Sequence, residues 1–125
     1  MNKNLLINLI ILVSLFLFNA SETLAANKIE SSKAAFHIGE DLMVCGVVAK
    51  VANLKGRTIL NMGKPYPNED IGILIWDSNV NQIEGRIGSL SLLQSKRICV
   101  SGTIEVYKEH LQIKISNPMM IRIIK

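Results

Sequence analysis

The chain has 125 residues, with fourteen Lys and Arg against ten Asp and Glu and a formal net charge of +4 at neutral pH. That length accommodates one domain and excludes two, since a second core and its linker need more chain. Hydrophobic residues at 49% and charged residues at 19% exclude intrinsic disorder. The mean hydropathy of +0.30 points to membrane only until the apolar excess is located, most of it before Asn19.

The N-terminus places Lys3 before an apolar run from Leu9 to Phe18, then polar residues to Thr23, then Ala25 and Ala26. This is the tripartite pattern of a secretory signal, with cleavage after Ala25 or, one residue on, after Ala26. An uncleaved anchor is the competing reading, but the apolar stretch of about fourteen residues falls short of the roughly 20 that a membrane-spanning helix needs. Residues 1–25 are therefore read as a signal peptide, and the mature chain is expected to be exported without stable membrane insertion. Cleavage removes one base, Lys3, and one acid, Glu22, so the exported part keeps its mild basicity. That balance permits anionic partners but falls well below the Lys/Arg density of a dedicated nucleic-acid binder.

Residues 26–36 are polar at first and read as a flexible lead-in, with a turn of helix over Ala34–Ile38 that ends at Gly39. Leu42–Val51 is valine-rich around Gly46 and predicts a long, bent first strand. Asn53–Gly56 has turn chemistry, so a hairpin leads into a second strand at Arg57–Met62. Pro65 and Pro67 then prevent a ladder from continuing, and Gly63–Asn68 reads as a stiff exposed loop. Ile71–Asp77, β-branched and aromatic, predicts a third strand. Val80, Ile83, Ile87, Leu90 and Leu93 recur at helical spacing, and Gly85 and Gly88 interrupt them, which predicts a short or broken helix. Arg97–Tyr107 and Leu111–Ile115 read as the fourth and fifth strands.

Three strands, a helical connection and two strands in about 100 residues describe an all-β domain over residues 37–125: a small, closed, five-stranded Greek-key barrel with a short helix, the OB-fold arrangement. Cys45 and Cys99 form an even pair in an exported chain and are expected to be bridged. In such a barrel the first and fourth strands are neighbours, which brings the two cysteines within bridging distance. Closing a loop of that length is worth roughly 4 kcal/mol in the chain-entropy model.

At this point a family resemblance emerges, covering roughly His37 to Ile123. Its carriers are His37-Ile38-Gly39-Glu40, Val44-Cys45-Gly46-Val47-Val48, the run from Leu60 to Asn68, Ile75-Trp76, Arg97–Ile104, Tyr107 and Asn117-Pro118. The sequence resembles the small exported bacterial OB-fold proteins described as nucleic-acid-binding, a domain also found with secreted nucleases. The resemblance implies an OB fold, export to a periplasm or beyond the cell, and weakly a nucleic-acid ligand. Two departures stand out: Ile59 replaces an aromatic, and Lys108-Glu109-His110 replaces a glycine-containing turn.

An OB barrel binds extended polymers across its second and third strands and the loops beside them. Those places hold Lys55, Arg57, Asn61, Lys64, Tyr66, Lys108 and His110, where cations would hold phosphates and a ring would stack a base. The bland alternative is that loops of any basic protein carry lysines and that Tyr66 merely braces its loop. Trp76 is expected in the core or at the barrel rim, and His37 in a capping role. Asp41, Asp70, Asp77 and Glu84 are scattered. No nucleophile elbow, Walker loop, HExxH or CxxC is present, so no catalysis, metal or cofactor is expected. Two functions remain open: a module binding single-stranded nucleic acid or another anionic polymer, or a structural protein of the cell envelope that contacts a protein or glycan.

Overall fold

A computed structural model describes residues 27–125; the expected signal peptide lies outside the described residues. The elements in chain order are β1 (Lys28–Glu30), a 3-10 turn (Ser31–Phe36), β2 (Asp41–Leu54), β3 (Arg57–Met62), β4 (Ile71–Trp76), α1 (Asp77–Ile87), a 3-10 turn (Leu90–Leu93), β5 (Arg97–Thr103), β6 (Glu105–Tyr107), β7 (His110–Lys114), a 3-10 turn (Pro118–Met120) and β8 (Ile121–Ile123).

The long strand β2 organises the molecule. Residues 41–47 pair antiparallel with β5, while Val48–Leu54 pairs antiparallel with β3, and the register shifts between Val48 and Lys50. That bulge turns one strand into the shared corner of two half-sheets. Gly46 lies just before it, where a Cβ would come 2.5 Å from Ser31 Oγ, so no side chain is tolerated there. The full order is β6-β7-β4-β3-β2-β5-β8, with β1 pairing parallel to β2 and β7 parallel to β4.

Three expectations need correction. The sheet has eight strands rather than five, and it is a curled open sheet rather than a closed one, its order ending at β6 and β8. The added strands have separate causes. Arg97–Tyr107 divides at Ile104, which leaves the ladder to bond Gly39 and Glu40: its amide donates to Glu40 O at 3.1 Å and its carbonyl accepts from Gly39 at 2.7 Å. The segment expected to be a flexible lead-in instead supplies β1 and buries Ser31 and Ala34. The chain beyond Pro118 returns to pair with β5 as β8. Near the seam Gly102 faces β7, and a Cβ there would come 2.6 Å from Ile113 Cγ2.

Period-two alternation puts Leu60, Met62, Ile71, Ile73, Ile75, Ile98, Val100 and Ile113 inside the curl. The expected broken helix is present: α1 buries Ile83 into this core and stops where Gly88, at φ 87°, donates to Glu84 O at 2.9 Å. Glu84 Oε2 then accepts from the Leu90 amide at 2.7 Å, which fixes the second turn and buries Leu90 and Leu93. His37 closes the first 3-10 turn, its amide donating to Ala34 O at 3.0 Å while its ring meets Glu40 at 2.6 Å. Among the carboxylates read as scattered, Asp70 accepts from Ser31 Oγ at 2.8 Å.

Cys45 and Cys99 face each other in the β2–β5 register and are disulfide-bonded, with Cα atoms 4.1 Å apart. Arg97 on β5 hydrogen-bonds Glu30 on β1, and that bond holds the Glu30 carboxyl below its ordinary value. Among the described residues no helix is long and apolar enough to cross a membrane.

Candidate ligand groove

The outer face of the sheet follows from register. Side chains paired across neighbouring strands point the same way, so the residues alternating with the core must share the opposite face. One row across it reads Lys50, Asn61, Gly72, Gln112, Glu105; the next reads Ala52, Ile59, Leu74, Lys114; a third reads Leu54, Arg57, Trp76. The middle row is largely apolar and the first is polar. Gly72 stands between Asn61 and Gln112, where a Cβ would come 3.1 Å from Ile59 Cγ2.

A concavity of about 390 Å³ lies on this face. Its floor is Ala52, Leu54, Ile59, Leu74 and Leu111, and its polar lining includes Arg57, Asn61, Glu69, Lys108, His110 and Gln112. Size and composition are those of a ligand site, an apolar bed with a few polar groups converging on it.

Five of the seven residues singled out from sequence line this groove: Arg57, Asn61, Tyr66, Lys108 and His110. The other two do not. Lys55 sits at the tip of the β2–β3 hairpin and Lys64 in the loop before β4, both exposed and outside the lining. The cations are thus partly gathered: two belong to the groove and two stand beside its elements.

Tyr66 stacks on His110, ring centroids 4.9 Å apart and planes inclined by 29°. The tyrosine is 67% exposed, so it offers a ring to solvent as well as closing its loop against β7. The Tyr66–Pro67 bond is cis. Tyr107, 55% exposed, adds a second ring to the lining, with Lys108 Nζ 5.4 Å from its centroid. That lysine and Glu109 adopt positive φ, 48° and 68°, in the two-residue turn that replaces the glycine-containing one. Trp76 is neither core nor lining; it ends β4 at the rim, half-exposed, opposite Arg57. Ile59, where the resembling family carries an aromatic, lies in the floor itself, so the missing ring is missing from the middle of the groove.

Sequence reading missed Glu69. His110 Nδ1 lies 2.5 Å from Glu69 Oε1, and the glutamate side chain is only 4% exposed. The two groups share one hydrogen bond, with the ring nitrogen as donor in the tautomer that carries its proton on Nδ1. The second oxygen, Oε2, is buried and has no hydrogen-bond partner among the described residues. Gln112 was missed as well; its Nε2 donates to Glu105 Oε1 at 2.8 Å. Period-two reading of β7 could have found Gln112, whereas nothing local marks Glu69, a loop acid beside Asp70. Among the described residues no group of three or more His, Cys, Asp or Glu is placed to hold a metal ion.

No protein-family model matches the chain, and no curated protein matches it by sequence. Solved structures do resemble it. An OBody bound to hen egg-white lysozyme aligns with a TM-score of 0.55 at 13% identity, covering 77% of this chain and 91% of its own. A chain of the S. pombe Stn1–Ten1 complex gives 0.52 at 12%, covering 68% and 58%. Asparaginyl-tRNA synthetase from Pyrococcus horikoshii gives 0.51 at 8%, covering 78% of this chain and 23% of the synthetase. At these identities the likeness establishes the OB fold and nothing finer, and this chain spans less than two thirds of the Stn1–Ten1 chain and less than a quarter of the synthetase.

Proposed function

We propose that the protein is an exported OB-fold binding module that takes single-stranded nucleic acid, or another anionic polymer, into the groove over β3 and β4. The observation that carries this reading is the gathering of two exposed rings, Tyr66 and Tyr107, with Arg57, Lys108 and His110 around one apolar bed. Rings accept base faces without regard to sequence, and cations beside them meet phosphates. The OB fold binds oligonucleotides on this same face and between the corresponding loops, and a tRNA synthetase is among the structural neighbours. The disulfide supports an oxidising compartment, in keeping with the signal-like leader.

With the ring absent at Ile59, affinity is weak and largely electrostatic, supplied by Arg57 and Lys108 in the lining together with Lys55 and Lys64 beside it. Three or four neutralised phosphates on a single strand give a log–log salt slope of about −2 to −3, so raising salt from about 50 to about 200 mM weakens binding roughly 20- to 50-fold. Fluorescence anisotropy of a labelled oligo-dT tests this. Affinity indifferent to salt, or no binding at low salt, would reject it.

A second reading is favoured by the apolar floor and by the OBody, an OB-fold protein bound to lysozyme. In it the groove receives a protein or glycan of the cell envelope, and Tyr66 and Leu54 are contact residues. Salt-insensitive capture of such a partner, abolished together with a loss at Leu54→Asp, would select it over the first.

A further inference from the structure

Resting on the nucleic-acid reading, we propose that Glu69 makes one end of the groove a guanine-reading subsite. A carboxylate repels phosphates, so in a groove that takes an anionic strand its partner is a base rather than the backbone. Glu69 lines the groove, its side chain is 4% exposed, and its Oε2 has no hydrogen-bond partner among the described residues. A buried acceptor left without a donor is costly, and a ligand that brings an N–H to it recovers that cost on binding. His110 occupies Oε1 and fixes the carboxylate; because Oε2 is closed to solvent, a planar ring reaches it only if Tyr66, stacked on His110 and largely exposed, turns aside.

The identity of the base follows from the order of donors and acceptors on its Watson–Crick edge. Guanine presents two adjacent donors, N1–H and the N2 amino group, which match the two oxygens of one carboxylate; Oε1 keeps a lone pair after accepting from His110. Adenine and cytosine each present one donor next to a bare ring nitrogen, whose lone pair faces the carboxylate. Thymine and uracil present one donor between two carbonyl oxygens. Only guanine meets Glu69 without a repulsive neighbour. Asn61 and Gln112, in the polar row beside Gly72, face the same groove and supply amides for the rest of the base.

The test is a series of labelled oligo-dT strands in which a single central residue is dT, dG, dI, dA or dC, titrated against the full mature protein at low salt. The expected result is that the dG strand binds roughly 5- to 150-fold more tightly than the all-dT strand, the range of one bidentate base contact. The dI strand, which lacks only the N2 amino group, loses most of that gain, and this comparison needs no variant. Glu69→Gln turns an acceptor into a donor and is expected to erase the dG-to-dT ratio. The assignment is overturned if dG binds no better than dT, if dI equals dG, or if Glu69→Gln keeps the preference. Equal binding of all five strands leaves the groove reading standing and removes this one, whereas no binding to any strand removes both.

Discussion

At the scale of single residues, Tyr66 is the more exposed of the two tyrosine rings that line the groove. Its ring is exposed and its contact with His110 is external to the core, so Tyr66→Ala should leave folding intact. Losing one stacking platform costs about 1–3 kcal/mol, which predicts roughly 5- to 150-fold weaker oligonucleotide binding. Anisotropy together with an unchanged urea midpoint checks it. A second residue-level prediction concerns Glu30. The hydrogen bond from Arg97 lowers its pKa in the folded protein below the ordinary value of 4.5. The stabilisation is therefore fully present above that value and is lost as pH falls through the lowered folded one. Urea midpoints of the native protein and Glu30→Gln should differ slightly at neutral pH and converge in acid. The gap should also shrink with added salt, as for any exposed pair.

Elements differ in how much of their placement the sequence reveals. β4 was legible because six consecutive residues, Ile71–Trp76, declare a strand by composition alone. The alternation along β3 was legible too, and in the structure it separates Arg57, Ile59 and Asn61, which line the groove, from Thr58, Leu60 and Met62, which are buried. β1 was not legible, because Lys28–Glu30 carries a single apolar residue, Ile29, between two charged ones and joins the sheet through backbone pairing with Met43–Cys45, too short a run to show an alternation. The break at Ile104 was hidden for the opposite reason: an apolar residue in an apolar run reads as continuous strand, and only its bonds to Gly39 and Glu40 end β5. Glu69 was invisible as a site residue because its partner is His110, distant in sequence and brought near by the parallel pairing of β4 with β7. The β2–β5 pairing carries its own prediction. The disulfide closes a loop spanning 54 residues of sequence separation, so reduction, or Cys45→Ala with Cys99→Ala, should lower stability by about 4 kcal/mol. Denaturant unfolding with and without reductant measures it, and an unchanged midpoint would contradict it.

For the molecule as a whole, one corner strand does the organising. By serving two half-sheets β2 leaves an inner face that closes on the isoleucine-rich core and an outer face over β3, β4 and β7 that nothing among the described residues covers. The charge of +4 is distributed rather than massed: Arg57 and Lys108 lie in the groove, Lys50 on the same face, Lys55 and Lys64 beside it. On the proposed reading such a surface steers anions broadly and holds them weakly, and Glu69 with the polar row supplies the base selectivity.

The most direct test of the groove as the binding surface is an NMR titration of the isotope-labelled protein with short oligo-dT at low salt. Amide shifts should cluster at Arg57, Ile59, Asn61, Tyr66, Gly72, Lys108 and His110, with α1 and the β5–β8 edge unchanged. Shifts scattered over all surface lysines, or concentrated around Phe36 and Leu92 away from the groove, would contradict the account.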